Sequence, residues 1–461
     1  MRVFFLLVTV SLLLCADALQ VPSSRSTPRL QPLTAATSDL ATVVNMGTDV
    51  VFDPFLQNEA IACRAKKTLK KGDVLCSIPV GLCLDAQKAK ATLDASLSKL
   101  NLRTGDVGLI ALLLLHEKKE GKNSKYESYV RSLPATAPGI LSWSIEDLEE
   151  LFFSSTRNFK AQIEAVDEDW KNLSRYPAVL ALCDADTFRW ALGVVKSRHF
   201  ILDNQPALAP VIDFIPFDPL SNAEPYITGA GIFGGKVVKV VADASFDEGS
   251  AISISYGLKS SAECLEDHGF CPNIPLEDAC AEFKISLDDA TDKFYEDKFN
   301  ILEQQKTFRF DIESSATLDK ELLQVARLKS IDGVDAFILE SVFYSTVFKT
   351  LAIPFSKNNE IKTFKLLAEQ IGSLLVSINA RFTQEQDAAL TSTPNLSGSL
   401  SKKQNMAMLR MQERAALQGT LAGIESSLRI LQTADSNEYY QERRLRELDL
   451  LRPLEDDEIL E

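Results

Sequence analysis

"ISISYGLKSSAECLEDHGF", Ile252 to Phe270, is the stretch on which the fold turns. It reads as a buried strand ending in Tyr256-Gly257, a turn rich in serine and lysine, and a short helix. A tyrosine at the exit of a strand can aim its hydroxyl into a cleft, and Gly257 permits the sharp turn that follows. Ser-Tyr-Gly alone also fits a core tyrosine beside a turn, so the flanking chain has to carry the rest of the argument.

Upstream, "AIACRAKKTLKKGDVLCSIPVGLCLD" alternates apolar and polar residues around a Lys71-Gly72-Asp73 turn and predicts two short strands. From about 95 to 190 the pattern becomes helical. "DVGLIALLLLHEKK" is apolar nearly all round, which predicts a buried helix. Ser144 and Asp186 are the expected N-caps of two further helices. Strand-type segments return in "APVIDFI", "GKVVKVVA" and "SAISISYG". From about Asp278 the spacing is helical to the end, with a long amphipathic helix in "QNMAMLRMQERAALQGTLAGIESSLRILQ". Strands do not alternate regularly with helices, so a doubly wound α/β fold is excluded and an α+β class is expected.

The chain has 461 residues and a net charge of −15, with ordinary globular composition. Length and composition predict two or three domains, and the acidic surface argues against a nucleic-acid partner. The eight cysteines contain no CxxC pair. The cluster Cys264, Cys271, Cys280 has no common zinc spacing, and His116, His199 and His268 are dispersed, so no metal site is expected.

Residues 1–18, "MRVFFLLVTVSLLLCADA", combine Arg2, an apolar run and Ala16-Asp17-Ala18, and read as a signal peptide. Residues 19–45 are rich in Ser, Thr, Pro and Arg and are transit-like. The pair resembles the bipartite leader of a plastid bounded by extra membranes, although the residue after cleavage is Leu19 where that pattern has Phe. Secretion is the alternative; Asn172 and Asn395 would then be glycosylation sequons. No stable membrane insertion is expected after the leader is removed.

The full phrase at 252–270 resembles the SET signature of the family that contains the plant Rubisco large-subunit lysine methyltransferase. "TLKKGDVLCSIP", "GLIALLLLHEKKEGKNSKYESYVRSLP", "FRWALGVVKSRHF", "LAPVIDF", "IDGVDAFILESVF" and "YYQERRLRELDLL" resemble further family segments, in order. The resemblance implies a β-rich SET domain over 46–275 with a helical insert at about 95–190. An all-α substrate-binding domain over 276–461 follows. It implies S-adenosyl-L-methionine as cofactor and a protein substrate, such as the Rubisco large subunit or another stromal protein. In such chemistry a neutral amine attacks the methyl group in line with the departing sulfur, and oxygen atoms around the methyl matter more than an acid or base. Tyr256 matches the catalytic tyrosine and also touches the cofactor. Arg198, Asp213, Tyr226 and His268 match substrate-side positions. Glu59, Ile61 and Phe217 match cofactor-side positions.

Three departures stand out. The family's Glu-Gly-x-Gly is Glu59-Ala60-Ile61-Ala62 here, its Asn-His pair is Pro216-Phe217, and its channel tyrosine is His268. Pro216 brings neither a polar side chain nor a backbone N–H. Two functions therefore remain open: an active protein methyltransferase, with lysine or histidine as acceptor, and a SET-fold pseudoenzyme that only holds a partner.

Overall fold

The computed structural model of the protein describes residues 50–57, 60–93, 101–152, 155–229, 235–287, 292–314, 318–340, 344–354, 356–393 and 400–433. The leader segments 1–18 and 19–45, Glu59, the Asn395 sequon and the 439–451 motif lie outside them.

Strands β1 (Val50–Gln57), β2 (Ala60–Ala65), β3 (Val74–Pro79), β4 (Leu84–Asp85), β5 (His199–Leu202), β6 (Gln205–Leu208), β7 (Tyr226–Gly229), β8 (Lys236–Val241) and β9 (Ala251–Ile252) form three small antiparallel sheets. Their orders are β1-β2-β9, β3-β8-β7 and β4-β6-β5. Alternation drives the burial: Val238 and Val240 of "KVVKVV" face inward while the residues between them face out. The β5–β6 hairpin closes through Asp203 and Asn204, both at positive φ (47° and 62°), as a two-residue hairpin turn requires.

Seven helices sit between β4 and β5 among the described residues: α1 (Ala86–Thr92), α2 (Gly105–Glu120), α3 (Glu127–Ser132), α4 (Ile145–Phe152), α5 (Phe159–Leu173), α6 (Pro177–Leu180) and α7 (Ala185–Arg198). As its composition predicts, α2 is buried continuously from Gly108 to Leu115 and forms the centre of the insert's core. Its N-terminus is held by the buried carboxylate of Asp169 on α5, which accepts from Arg103 N, Thr104 N and the Thr104 hydroxyl. The cap of α7 is Asp184 and not Asp186: Asp184 Oδ1 accepts from Thr187 N at 2.9 Å, the reach an N-cap needs. This places Arg198 at the helix's last turn.

Helix α8 (Ser261–His268) is started by a capping box between Ser260 and Glu263 and stopped by Gly269 in the left-handed conformation. The region beyond it was expected to be all-helical. It is mostly helical but opens with an antiparallel hairpin, β10 (Cys280–Ser286) with β11 (Thr307–Glu313), around α9 (Tyr295–Ile301). The period-two run Ala281, Phe283, Ile285 decides this, because only a strand puts all three on the buried face. Helices α10 (Lys320–Lys329), α11 (Tyr344–Thr350), α12 (Lys357–Arg381) and α14 (Lys402–Thr433) complete the second core, and α13 (Gln384–Thr391) joins α14 through the buried Asp387–Arg410 pair.

Within that core Arg327 and Glu360 are both fully buried and joined by two 2.8 Å hydrogen bonds. Removing one member of such a pair strands the other charge. Arg327→Ala is therefore expected to destabilise this region by about 3–5 kcal/mol, read as a lowered urea midpoint at unchanged slope. A shift below about 1 kcal/mol would contradict the burial argument.

Candidate active site

The segment 209–215, expected as a strand, makes a turn instead. Val211 has φ 78° and ψ −46°, and Ile212–Phe214 form one turn of 3₁₀ helix. A buried β-branched residue at positive φ is strained, and such strain gathers where the backbone serves a site. Here the turn gives the carbonyls of Asp213 and Ile215 a common target. The Tyr256 hydroxyl lies 2.8 Å from each. A regular strand would commit these carbonyls to a neighbouring strand.

Regular β9 ends at Ile252, earlier than the predicted strand, because the chain then crosses the 216–223 segment. Ile254 N donates to Pro216 O at 2.9 Å, and Asp218 N donates to Ile254 O at 2.9 Å. This parallel bridge pairs Phe217 with Ile254. It uses the carbonyl of Pro216 and not the N–H that proline lacks, which is why proline is tolerated there. In a parallel bridge of this register the N–H and C=O of Phe217 itself face the opposite side.

Asp213 is buried. Its Oδ2 accepts from the Tyr129 hydroxyl at 2.6 Å, while Arg198 Nη1 donates to its backbone oxygen at 2.7 Å and stands 3.9 Å from Oδ2. Arg198 thus pairs with the carboxylate loosely and holds the turn's backbone more tightly. Burial pushes the Asp213 carboxyl up to about 6, although Arg198 and Tyr129 pull it down. Burial also raises the phenols of Tyr256 and Tyr129, which keeps both as neutral hydrogen-bond donors.

Phe217 stacks on His268 with ring centroids 4.2 Å apart and planes at 17°. Tyr256 lies 5.4 Å from Phe217 and 5.9 Å from His268, and Phe270 lies 6.0 Å from Phe217. Two of the sequence's departures, Phe217 and His268, therefore touch each other. Burial, assisted by nearby Lys259, lowers the His268 imidazole to about 3, so the ring is neutral at physiological pH.

Seven buried side-chain N or O atoms lack a hydrogen-bond partner among the described residues, and three of them are here: Arg198 Nε, Asp213 Oδ1 and His268 Nε2. Buried polar groups are normally satisfied by protein, water or ligand, so this concentration leaves hydrogen-bonding capacity open to whatever enters the site.

Of the residues singled out from sequence, Tyr256, Arg198, Asp213, Phe217 and His268 converge. Tyr226 does not join the buried group; it is 43% exposed on β7. Ile61 lies on β2, whose Cys63 pairs with Ile252 of β9. Ala60 and Ala62 sit in the same paired strand. Sequence reasoning missed Tyr129 and Phe200, the latter 4.4 Å from the Tyr256 ring. Both stand inside quoted segments but carry no signal beyond being aromatic.

Residues 289–417 match the family model described as Rubisco LSMT substrate-binding. The chain is 29% identical to the chloroplastic fructose-bisphosphate aldolase-lysine N-methyltransferase of Arabidopsis thaliana, covering 87% of this chain and 84% of that protein. It is 28% identical to the chloroplastic ribulose-1,5 bisphosphate carboxylase/oxygenase large subunit N-methyltransferase of Nicotiana tabacum, covering 86% and 82%. The crystal structure of the SET domain of LSMT bound to lysine and AdoHcy superposes with a TM-score of 0.75 at 26% identity, covering 93% of this chain and 97% of that one.

The Asp213 carboxyl yields a pH prediction. Unfolded, it ionises near 3.9; folded, near 6. The folded state holds the proton more strongly, so its contribution to stability falls as pH rises from about 4 to about 6 and is constant above, a loss on the order of 3 kcal/mol. Asp213→Asn should remove that component. Urea midpoints of both proteins between these pH values test it, and parallel profiles would refute it.

Proposed function

We infer that this chain, a SET-domain protein of the Rubisco LSMT family, is an S-adenosylmethionine-dependent protein N-methyltransferase acting on a lysine of a plastid protein. The observation that carries the reading is the convergence of the Tyr256 hydroxyl with the Asp213 and Ile215 carbonyls beside three unsatisfied buried polar atoms.

The residues fit the cofactor. On the substrate side, Arg198 Nε is left as a donor and Asp213 Oδ1 as an acceptor for the incoming chain. The Phe217 and Phe270 rings give flat apolar faces to a purine, and the Phe217 backbone groups can pair with its edge. Ile61 on β2 and Glu59 before it complete the set on the family pattern. When bound, S-adenosylmethionine supplies a methyl group made electrophilic by the attached sulfonium.

The protein's part is positioning. Tyr256 carries one hydroxyl hydrogen but faces two carbonyls, so oxygen lone pairs remain to receive polarised methyl C–H groups. The Tyr256 hydroxyl and the two carbonyls fixed by the turn would receive those C–H groups when the cofactor is bound, and so would orient the methyl towards the amine. The apolar ring cluster disfavours a charged ammonium and so favours the neutral, nucleophilic amine. His268, neutral, adds no competing charge. Tyr226, exposed at the sheet edge, is placed to meet the arriving protein segment.

The substrate is drawn from the same class as those named for the relatives, the Rubisco large subunit and aldolase, and is met by the helical C-terminal region. A plastid location agrees with the chloroplastic relatives and with the bipartite leader read from the sequence. The second reading, a pseudoenzyme, rests on Pro216-Phe217 in place of the Asn-His pair and on Ala60 and Ala62 in place of the two glycines.

Titration calorimetry with S-adenosylmethionine separates the two. Saturable heat supports the enzyme; no heat and no thermal stabilisation at high cofactor concentration would sink it. Tyr256→Phe should then bind cofactor nearly as well as the unaltered protein, yet transfer methyl groups to a plastid extract on the order of 10²-fold more slowly. Equal transfer would remove Tyr256 from its role.

A further inference from the structure

Helix α14 belongs to two cores. Ala416, Leu417, Ile424 and Leu431 pack into the C-terminal core, whereas Met406 and Leu409 pack with Ala262, Leu265 and Cys271 of the α8 region. Polar groups follow the same division. Asn405 Oδ1 accepts from Cys271 N at 2.8 Å, and Gln412 Nε2 donates to Pro272 O at 2.6 Å. Both side chains are buried, at 4% and 2% exposure. Glu413 accepts from the Ser155 hydroxyl and from Thr156 N, and neighbouring Arg157 donates to Glu266 of α8 at 2.8 Å.

Cys271 and Pro272 follow directly on His268, Gly269 and Phe270. Two of those residues form the aromatic wall with Phe217 and Tyr256. The wall residues lie on a short helix end and its exit, a segment with few bonds of its own to fix ring orientation. We propose that Asn405 and Gln412 of α14 are positioning residues of the methyl-transfer site, holding the 268–272 segment so that His268 stacks on Phe217. The inference rests on the methyltransferase reading for its consequence in catalysis but not for its geometry.

The chain has three histidines, so a histidine-labelled NMR spectrum resolves His268 readily; a His268→Gln variant assigns it. In the unaltered protein its resonances should carry the ring-current displacement of the Phe217 stack and should not titrate between pH 5 and 8, in line with a value lowered to about 3. Asn405→Leu, similar in volume but without an acceptor, should move the resonance towards that of an exposed histidine and weaken S-adenosylmethionine binding roughly 10-fold. Asn405→Asp keeps an acceptor for Cys271 N but loses the amide donor to the carbonyls of Leu400 and Ser401, so it should restore both in part. Gln412→Met, similar in length and uncharged, removes the donor to Pro272 and the acceptor of the Cys271 thiol, and carries the test if the leucine variant does not fold. An unmoved His268 resonance in the folded variants overturns the proposal. A displaced resonance in a protein that never binds the cofactor leaves the positioning role standing and refutes the methyltransferase reading instead.

Discussion

The structure depends on one crossing, where Ile254 donates to Pro216 and receives from Asp218. Those two bonds bring the end of one chain segment against the middle of another about 40 residues away in sequence. Everything chemical follows from that meeting. Tyr256, two residues further on, can reach the carbonyls of Asp213 and Ile215 only because the crossing fixes the separation of the two segments. The positive φ of Val211 turns those carbonyls towards the hydroxyl, and the buried surroundings of Ile212 and Ile215 hold the turn against its strain.

Much of this was legible in the sequence, for reasons that can be named. Helix α2 announced itself by its unbroken apolar run, and α8 was expected as a short helix after a turn rich in serine and lysine. The tyrosine at a strand exit was visible, and so were Arg198 and Asp213 as members of one site. The turn at 211–214 was not. "APVIDFI" satisfies the burial and propensity rules of a strand, and only a tertiary demand, two carbonyls required by one hydroxyl, makes it something else. The β10–β11 hairpin was lost for a different reason: its period-two pattern is short and sits among long helical patterns. Asn405 and Gln412 gave no signal at all, since polar residues on an amphipathic helix look solvated until another domain covers them.

The departures from the family pattern change meaning once they are seen together. Pro216 occupies a position where the fold uses only a carbonyl, so its missing N–H costs the crossing nothing. Phe217 and His268 are face to face. The wall sets the imidazole of one residue against the benzene ring of the other. Burial keeps that imidazole uncharged, so the wall remains nonpolar in effect, although Nε2 still offers a polar atom to whatever enters.

Helix α14 has a consequence for heredity. A helix whose first half completes one core and whose second half completes another cannot be passed on with only one of them. Recombination between relatives that breaks the chain anywhere between 276 and 402 would pair a catalytic half with a foreign brace. The two regions are therefore expected to have travelled through evolution as a single cassette, with changes on either side of the seam accepted only when the other side accommodates them.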